Sequence, residues 1–294
     1  MCEPAATAAF KSIYGFQIRR RVAIPLPKTR CGNSSASGAR RSRARPGDVT
    51  LPNFEAQCDV LLETGPAAVS SMMGLFPASY VARMKDKGIK WFATVTTLSE
   101  AKTAEQAGAD VIIAQGMEAA GHRATFDVTQ AEARMVGLFS LLPAVADAVK
   151  VPVVAAGGIA DGRGMAAALL LGASAVQIGT ALLRSPEAKI PSAWADAIGK
   201  AAPEDTLLTR VFTGRPARGL ATDYARAATA PGAPLPAPYP VQRGLTQPMR
   251  EAAAKQNDIR SIQAWSGQSG GLTTAAPAGD IVRRLWEDAQ VLLG

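Results

Sequence analysis

From residue 54 onward, short β-rich runs alternate with Ala/Leu-rich helical patterns. Five runs read as strands: 67–72 (AAVSSM), 90–95 (KWFATV), 110–114 (DVIIA), 151–156 (VPVVAA) and 175–179 (AVQIG). They are nearly continuous apolar runs rather than strict alternations. Strands covered on both faces have that pattern, and such strands are parallel. Helical patterns fill the intervals at about 54–63, 77–87, 99–107, 140–149 and 163–171. Ser99 reads as an N-cap with Glu100 in the first turn. Gly88, Gly108 and Gly172 stand where left-handed C′ residues end helices.

A weak repeat supports the same reading. AGADVIIAQ (107–115) aligns with LGASAVQIG (171–179): a helix ends at Gly-Ala, a polar residue follows, and an apolar strand begins. Repeated βα units of this length indicate an α/β fold, either a barrel or a doubly wound sheet. The pattern alone leaves those two open.

Composition narrows the field. The chain has 294 residues, 48% of them apolar and 19% charged, which is enough for one large core or two modest ones. No run approaches the roughly 20 uncharged apolar residues that would cross a bilayer as a helix. Three cysteines, Cys2, Cys31 and Cys58, suit neither a disulfide framework nor a zinc site, so no metal is expected. A reducing, cytoplasmic setting is the expectation.

The formal charge of +8 is local. Residues 1–46 hold ten of the 32 basic side chains and one acid, Glu3; the remaining 22 basic and 23 acidic groups nearly cancel. The basic balance therefore describes a segment rich in Ser, Gly and Arg (NSSASGARRSRARPG, 33–47), read as a disordered extension. A transit peptide is a weaker reading. No aromatic interleaving accompanies the arginines, so neither a nucleic-acid nor a membrane partner is expected.

In both candidate architectures ligands bind beyond the carboxyl ends of the strands. Strand 151–156 runs into GGIADGRG (157–164), and strand 175–179 runs into Thr180. Gly157 and Gly158 let a ligand approach the backbone, and the helix that follows offers N–H groups and a positive dipole end. Gly179-Thr180 adds a second bare turn and a hydroxyl. Together they read as a phosphate site. A Gly-x-Gly-x-x-Gly fingerprint and a P-loop are both missing, which disfavours dinucleotide and NTPase sites. Strand 110–114 runs into QGMEAAGHRATF (115–126), which carries the chain's single histidine, His122. Small neighbours, Ala119, Ala120 and Gly121, leave room for a ligand, and imidazole exchanges protons near neutrality. Glu118 is either a participant or a loop carboxylate bonded to backbone N–H groups. Gln115 is either a partner for a heteroaromatic ring or an amide that satisfies backbone.

AGADVIIAQGMEAAGHRATF, followed by PVVAAGGIADGRGMAAALLLGASAVQIGTALL, resembles the nitronate monooxygenases, formerly called 2-nitropropane dioxygenases. The likeness runs from about Phe54 to the C-terminus and includes FTGRPARGL (212–220) and WSGQSGGL (265–272). It implies an FMN-dependent TIM-barrel flavoprotein that oxidises nitronates or nitroalkanes with molecular oxygen. It implies that His122 is the catalytic base. It also implies that Gln115, Ala120, Gly121, Gly157, Gly158, Gln177, Ile178, Gly179 and Thr180 contact FMN. Where the family usually has Gly-Gly before the histidine, this chain has Ala120-Gly121.

The five strands correspond to the fourth to eighth of such a barrel. The family's first three, with their flavin-contacting segments, are not readable in residues 1–53. The only strand-like run there, VAIPLP (22–27), holds two prolines that disfavour a central strand. The tail forms a substitute, a partner completes the sheet, or the chain is a truncated relative with a foreign start. The expected organisation is a basic segment 1–53, an FMN-binding (β/α) barrel portion 54–200, and a cap on the substrate side, 201–294. Within the cap, 207–220 reads as strand and turn, 229–240 as a loop, and a helix starts near Pro248. Arg215, Arg218 and Tyr224 read as solvated surface ahead of facing a substrate anion, Met72 and Met73 as core packing ahead of flavin contact, and Trp265 and Trp286 as packing. Three alternatives remain: another FMN barrel oxidoreductase of the enoyl reductase kind, a non-catalytic remnant, and, as the weakest, a binder of acidic polymers through the arginine-rich segment. A homo-oligomer is compatible with the sequence.

Overall fold

The computed structural model describes Gly47, Val49 and residues 51–294. The basic segment and VAIPLP lie outside the described residues.

The five expected strands form one parallel sheet whose spatial order follows the chain. They are β1 (Ala68–Ser71), β2 (Lys90–Val95), β3 (Val111–Gln115), β5 (Val153–Ala156) and β6 (Ala175–Gln177). The central strands β3 and β5 are buried at every position, which explains their unbroken apolar runs. Helices α1 (Phe54–Thr64), α2 (Ala78–Asp86), α3 (Leu98–Gln106), α4 (Leu138–Ala146) and α5 (Gly162–Leu170) fall in the expected intervals. With α9 (Ala278–Leu293), they cover the outer face. Trp91, Met84, Ile112, Leu142 and Leu285 belong to the main core there. The inner face carries a smaller cluster of Val111, Ile113, Val154, Ala156 and Ala175.

The three glycine stops are the same device. Gly88, Gly108 and Gly172 have φ of 69°, 96° and 99°. In each case the following residue donates back five positions: Ile89 to Met84, Ala109 to Ala104 and Ala173 to Ala168. These are Schellman closures, and they turn the chain straight into the next strand. One cap differs from expectation. Thr97, not Ser99, caps α3, because its hydroxyl is the one that accepts the Glu100 N–H.

A second sheet carries the rest of the chain's logic. Strands β7 (Thr206–Thr209) and β8 (Ala217–Leu220) form an antiparallel hairpin, and β8 pairs on its other edge with the two-residue β4 (Gly121–His122). Helices α6 (Ser192–Lys200), α7 (Asp223–Ala228) and α8 (Val241–Lys255) pack around it. Helix α8 starts seven residues before Pro248, which sits in its interior. Arg218 is buried, not solvated, and so carries two hydrogen bonds. Met72 is not core: it is 47% exposed at the end of β1. Among the described residues no helix is long and apolar enough to cross a membrane.

Candidate flavin site

The carboxyl ends of all five parallel strands open onto one cleft of about 260 Å³. Eight of the residues singled out from sequence line it: Gln115, Ala120, Gly157, Gly158, Gln177, Ile178, Gly179 and Thr180. Ser70, Met72, Thr94 and Ile113 add the ends of β1 to β3. Gly121 and His122 lie beside the cleft in β4 and are not part of its lining.

Geometry favours glycine at the first of the two turns and leaves the second unconstrained. Gly157 has φ 96°, and a Cβ there would stand 2.8 Å from the Ala119 Cβ and 2.9 Å from its amide nitrogen. Gly158 has φ 71°. Gly179 has ordinary φ and open space where a Cβ would be. The amides of Gly158, Gly179 and Thr180 have no protein acceptor among the described residues. The short 3₁₀ turn Thr180–Arg184 has no side-chain cap, so its first amides stay available to an anion. Bare backbone, free donors and a hydroxyl suit an anionic group such as a phosphate.

Three residues separate the N-terminus of α5 from the glycine pair. The Asp161 carboxylate caps it by accepting the Gly164 N–H. Donation comes from the turns themselves.

The His122 loop is held by buried polar groups. The Gln115 amide donates to the His122 carbonyl (3.1 Å) and accepts from the Ala124 N–H (2.9 Å) and the Arg123 guanidinium (3.2 Å). Arg123 is 1% exposed and also donates to the Gly116 carbonyl at 2.7 Å. Burial drops its pKa to about 10. Glu118 takes its backbone reading: its carboxylate accepts the Leu138 N–H at the start of α4. Glu100 does more than sit in the first turn of α3. Its carboxylate accepts from the Thr96 N–H, the Thr96 and Thr125 hydroxyls, and the Phe126 N–H, all within 2.9 Å. Arg218 donates to the Met117 carbonyl and the Thr206 hydroxyl, joining the hairpin to the same loop.

His122 itself is half-buried. Its Nε2 lies 2.9 Å from the Thr213 hydroxyl, and its ring meets the Trp265 ring edge-on with centroids 5.6 Å apart. Burial, helped by Arg215 and Arg243, lowers its pKa from 6.5 to about 4, so the ring is neutral at physiological pH. Trp265 opens the second contribution that sequence reasoning left unassigned, the loop 265–271. There the Gly267 N–H donates to the Thr180 hydroxyl, the Gln268 N–H to the Glu118 carbonyl, and the Ser269 hydroxyl to the Gly158 carbonyl. Gly267 and Ser269 therefore line the cleft from the C-terminal side. The Ser/Gly content of WSGQSGG was the available signal, but only the fold shows what it meets.

A parallel α/β sheet with bare, donor-rich turns at its carboxyl edge has the architecture of an α/β enzyme, with the cleft where such folds seat their ligands. The nitronate monooxygenase family model matches residues 29–288, and the chain belongs to that family of flavin enzymes. The match begins upstream of Phe54. Probable nitronate monooxygenases from Staphylococcus saprophyticus and Staphylococcus aureus are 36% and 38% identical. Those alignments cover 82% and 79% of this chain and 68% and 65% of the relatives, so the chain spans about two thirds of their length. Nitroalkane oxidase from Streptomyces ansochromogenes superposes with TM-score 0.76 at 40% identity, covering 82% of this chain and 70% of that one. FabK from Thermotoga maritima does so with TM-score 0.67 at 32% identity, over 81% and 73%.

Proposed function

We propose that the cleft binds FMN and that the chain oxidises alkyl nitronates or nitroalkanes with molecular oxygen, His122 serving as general base. The observation that carries this reading is the convergence of free amides at Gly158, Gly179 and Thr180 on one cleft beside a neutral imidazole. Those three amides would hold the phosphate, with the Thr180 hydroxyl free to donate because it already accepts from Gly267. Gln115, whose carbonyl end is taken by Ala124 and Arg123, would turn its remaining N–H toward the ring system. The chemistry such a cofactor supplies is acceptance of electrons from the substrate carbanion and their delivery to oxygen.

The protein's own share is proton transfer and charge. A nitroalkane α-proton is acidic because the nitronate spreads the resulting negative charge. Neutral His122 can accept that proton without first losing one. Arg215 and Arg243, whose positive field helps depress the imidazole pKa, also favour the anion formed beside it.

A remnant without cofactor is the second reading. It is favoured by the outer edge of β1, which has no strand partner among the described residues. One titration separates the two. The purified full chain is expected to turn yellow with FMN and to release or absorb heat in calorimetry; a colourless preparation with no heat overturns the proposal. Oxygen uptake driven by nitronate, compared with NADH oxidation, then separates this activity from that of an enoyl reductase. His122→Asn is expected to retain FMN and nitronate turnover while neutral nitroalkane turnover falls at least about 100-fold, the lower end of general-base contributions. Equal losses on both substrates would show that His122 is not mainly a base.

A further inference from the structure

Thr213 is 3% exposed and lies in the turn between β7 and β8. Its hydroxyl has three neighbours: His122 Nε2 at 2.9 Å, the Arg215 carbonyl at 3.2 Å and the Arg215 N–H at 3.3 Å. A hydroxyl offers one proton and two lone pairs. The Arg215 carbonyl can only accept, and no other donor reaches it among the described residues. The Arg215 N–H can only donate, and this hydroxyl is its acceptor. The hydroxyl proton therefore goes to the Arg215 carbonyl, and both lone pairs receive N–H groups. One of those is the Arg215 amide. The other must be the imidazole, with its proton on Nε2.

The opposite tautomer leaves the Arg215 carbonyl without its donor. The hydroxyl would spend its proton on Nε2, stripping the Arg215 carbonyl of its donor. The imidazole proton would then sit on Nδ1, which has no acceptor among the described residues. A carbonyl that loses its donor to the ring is disfavoured, so the turn selects one ring state.

We infer that Thr213 is a positioning residue that locks His122 as the Nε2–H tautomer, making Nδ1 the nitrogen that takes a proton from substrate. The assignment of Nδ1 as base rests on the proposed role of His122; the tautomer lock does not. Thr213 touches no reacting atom and acts through the imidazole.

The chain's single histidine makes the test unambiguous. The full chain, labelled with ¹⁵N-histidine and purified without a histidine tag, yields one imidazole in a two-bond ¹H–¹⁵N correlation spectrum at pH 7.5. The expected spectrum has a pyridine-type nitrogen that couples strongly to Hε1 alone, which is Nδ1, and a slowly exchanging proton on Nε2. In T213V that proton is expected to exchange with water at least tenfold faster, and in T213S it stays slow. A pyridine-type Nε2, an averaged pair of shifts, or an unchanged exchange rate in a folded T213V would overturn the lock. If T213V does not fold, the wild-type and T213S spectra still decide the matter. Turnover separates the two layers. If the lock is found but His122→Asn loses nitronate and nitroalkane turnover equally, the base assignment fails and the lock stands. If both hold, T213V lowers kcat for neutral nitroalkane more than for nitronate, with KM little changed.

Discussion

Replacing Glu100 by Ala tests how the site loop is held. The half-buried carboxylate accepts four hydrogen bonds, two from backbone and two from threonine hydroxyls, and they join the end of β2 to the loop beyond His122. The hydroxyls can turn elsewhere; Thr125 already lies 3.4 Å from the Asp127 carbonyl. The Thr96 and Phe126 amides cannot. Each orphaned amide costs about 1–3 kcal/mol, and water reaching a half-buried site trims the total to about 2–4 kcal/mol. In a chain of this size that lowers Tm by roughly 5–15 °C. Urea unfolding followed by tryptophan fluorescence measures it directly. Glu100→Gln is expected to recover only part of the loss, because its amide keeps one acceptor and turns a donor toward donors. A Glu100→Ala loss under about 0.5 kcal/mol would refute the claim that this carboxylate organises the loop.

The two glycine turns should respond differently to the same methyl group. Gly179→Ala meets open space and ordinary φ, so stability should stay within about 0.5 kcal/mol while FMN affinity falls at least tenfold, read by fluorescence titration. Gly157→Ala meets Ala119 at 2.8 Å with φ 96°, so it should cost at least about 2 kcal/mol even without ligand, read by urea unfolding. His122 should make stability fall with acid. The unfolded ring takes a proton near 6.5 and the folded one only near 4, so stabilisation is full above 6.5 and fades as pH drops toward 4. The difference amounts to about 3 kcal/mol, and His122→Asn should flatten that part of the pH-stability curve.

The five strands, the helices between them and the glycine stops were legible along the chain because each depends on short-range rules. A strand buried on both faces must be apolar throughout, and a helix that turns sharply into a strand needs a residue tolerant of positive φ. Met72 misled for the same reason: at a strand end, apolar character alone does not reveal exposure. Arg218 misled in the opposite direction, since a charged side chain is buried only when distant backbone carbonyls and hydroxyls come to meet it.

The family and the residues at the strand ends could thus be read from sequence alone. The pairing of β4 with β8, the Glu100 staple, the closure of the cleft by residues 267 and 269, and the partner of His122 came only with tertiary structure. Thr213 stands 91 positions from His122, and no local pattern links them. Hydrogen bonds across such separations exist only once the hairpin has packed against the sheet. The imidazole's surroundings, and with them its protonation, therefore belong to the fold rather than to any stretch of the chain.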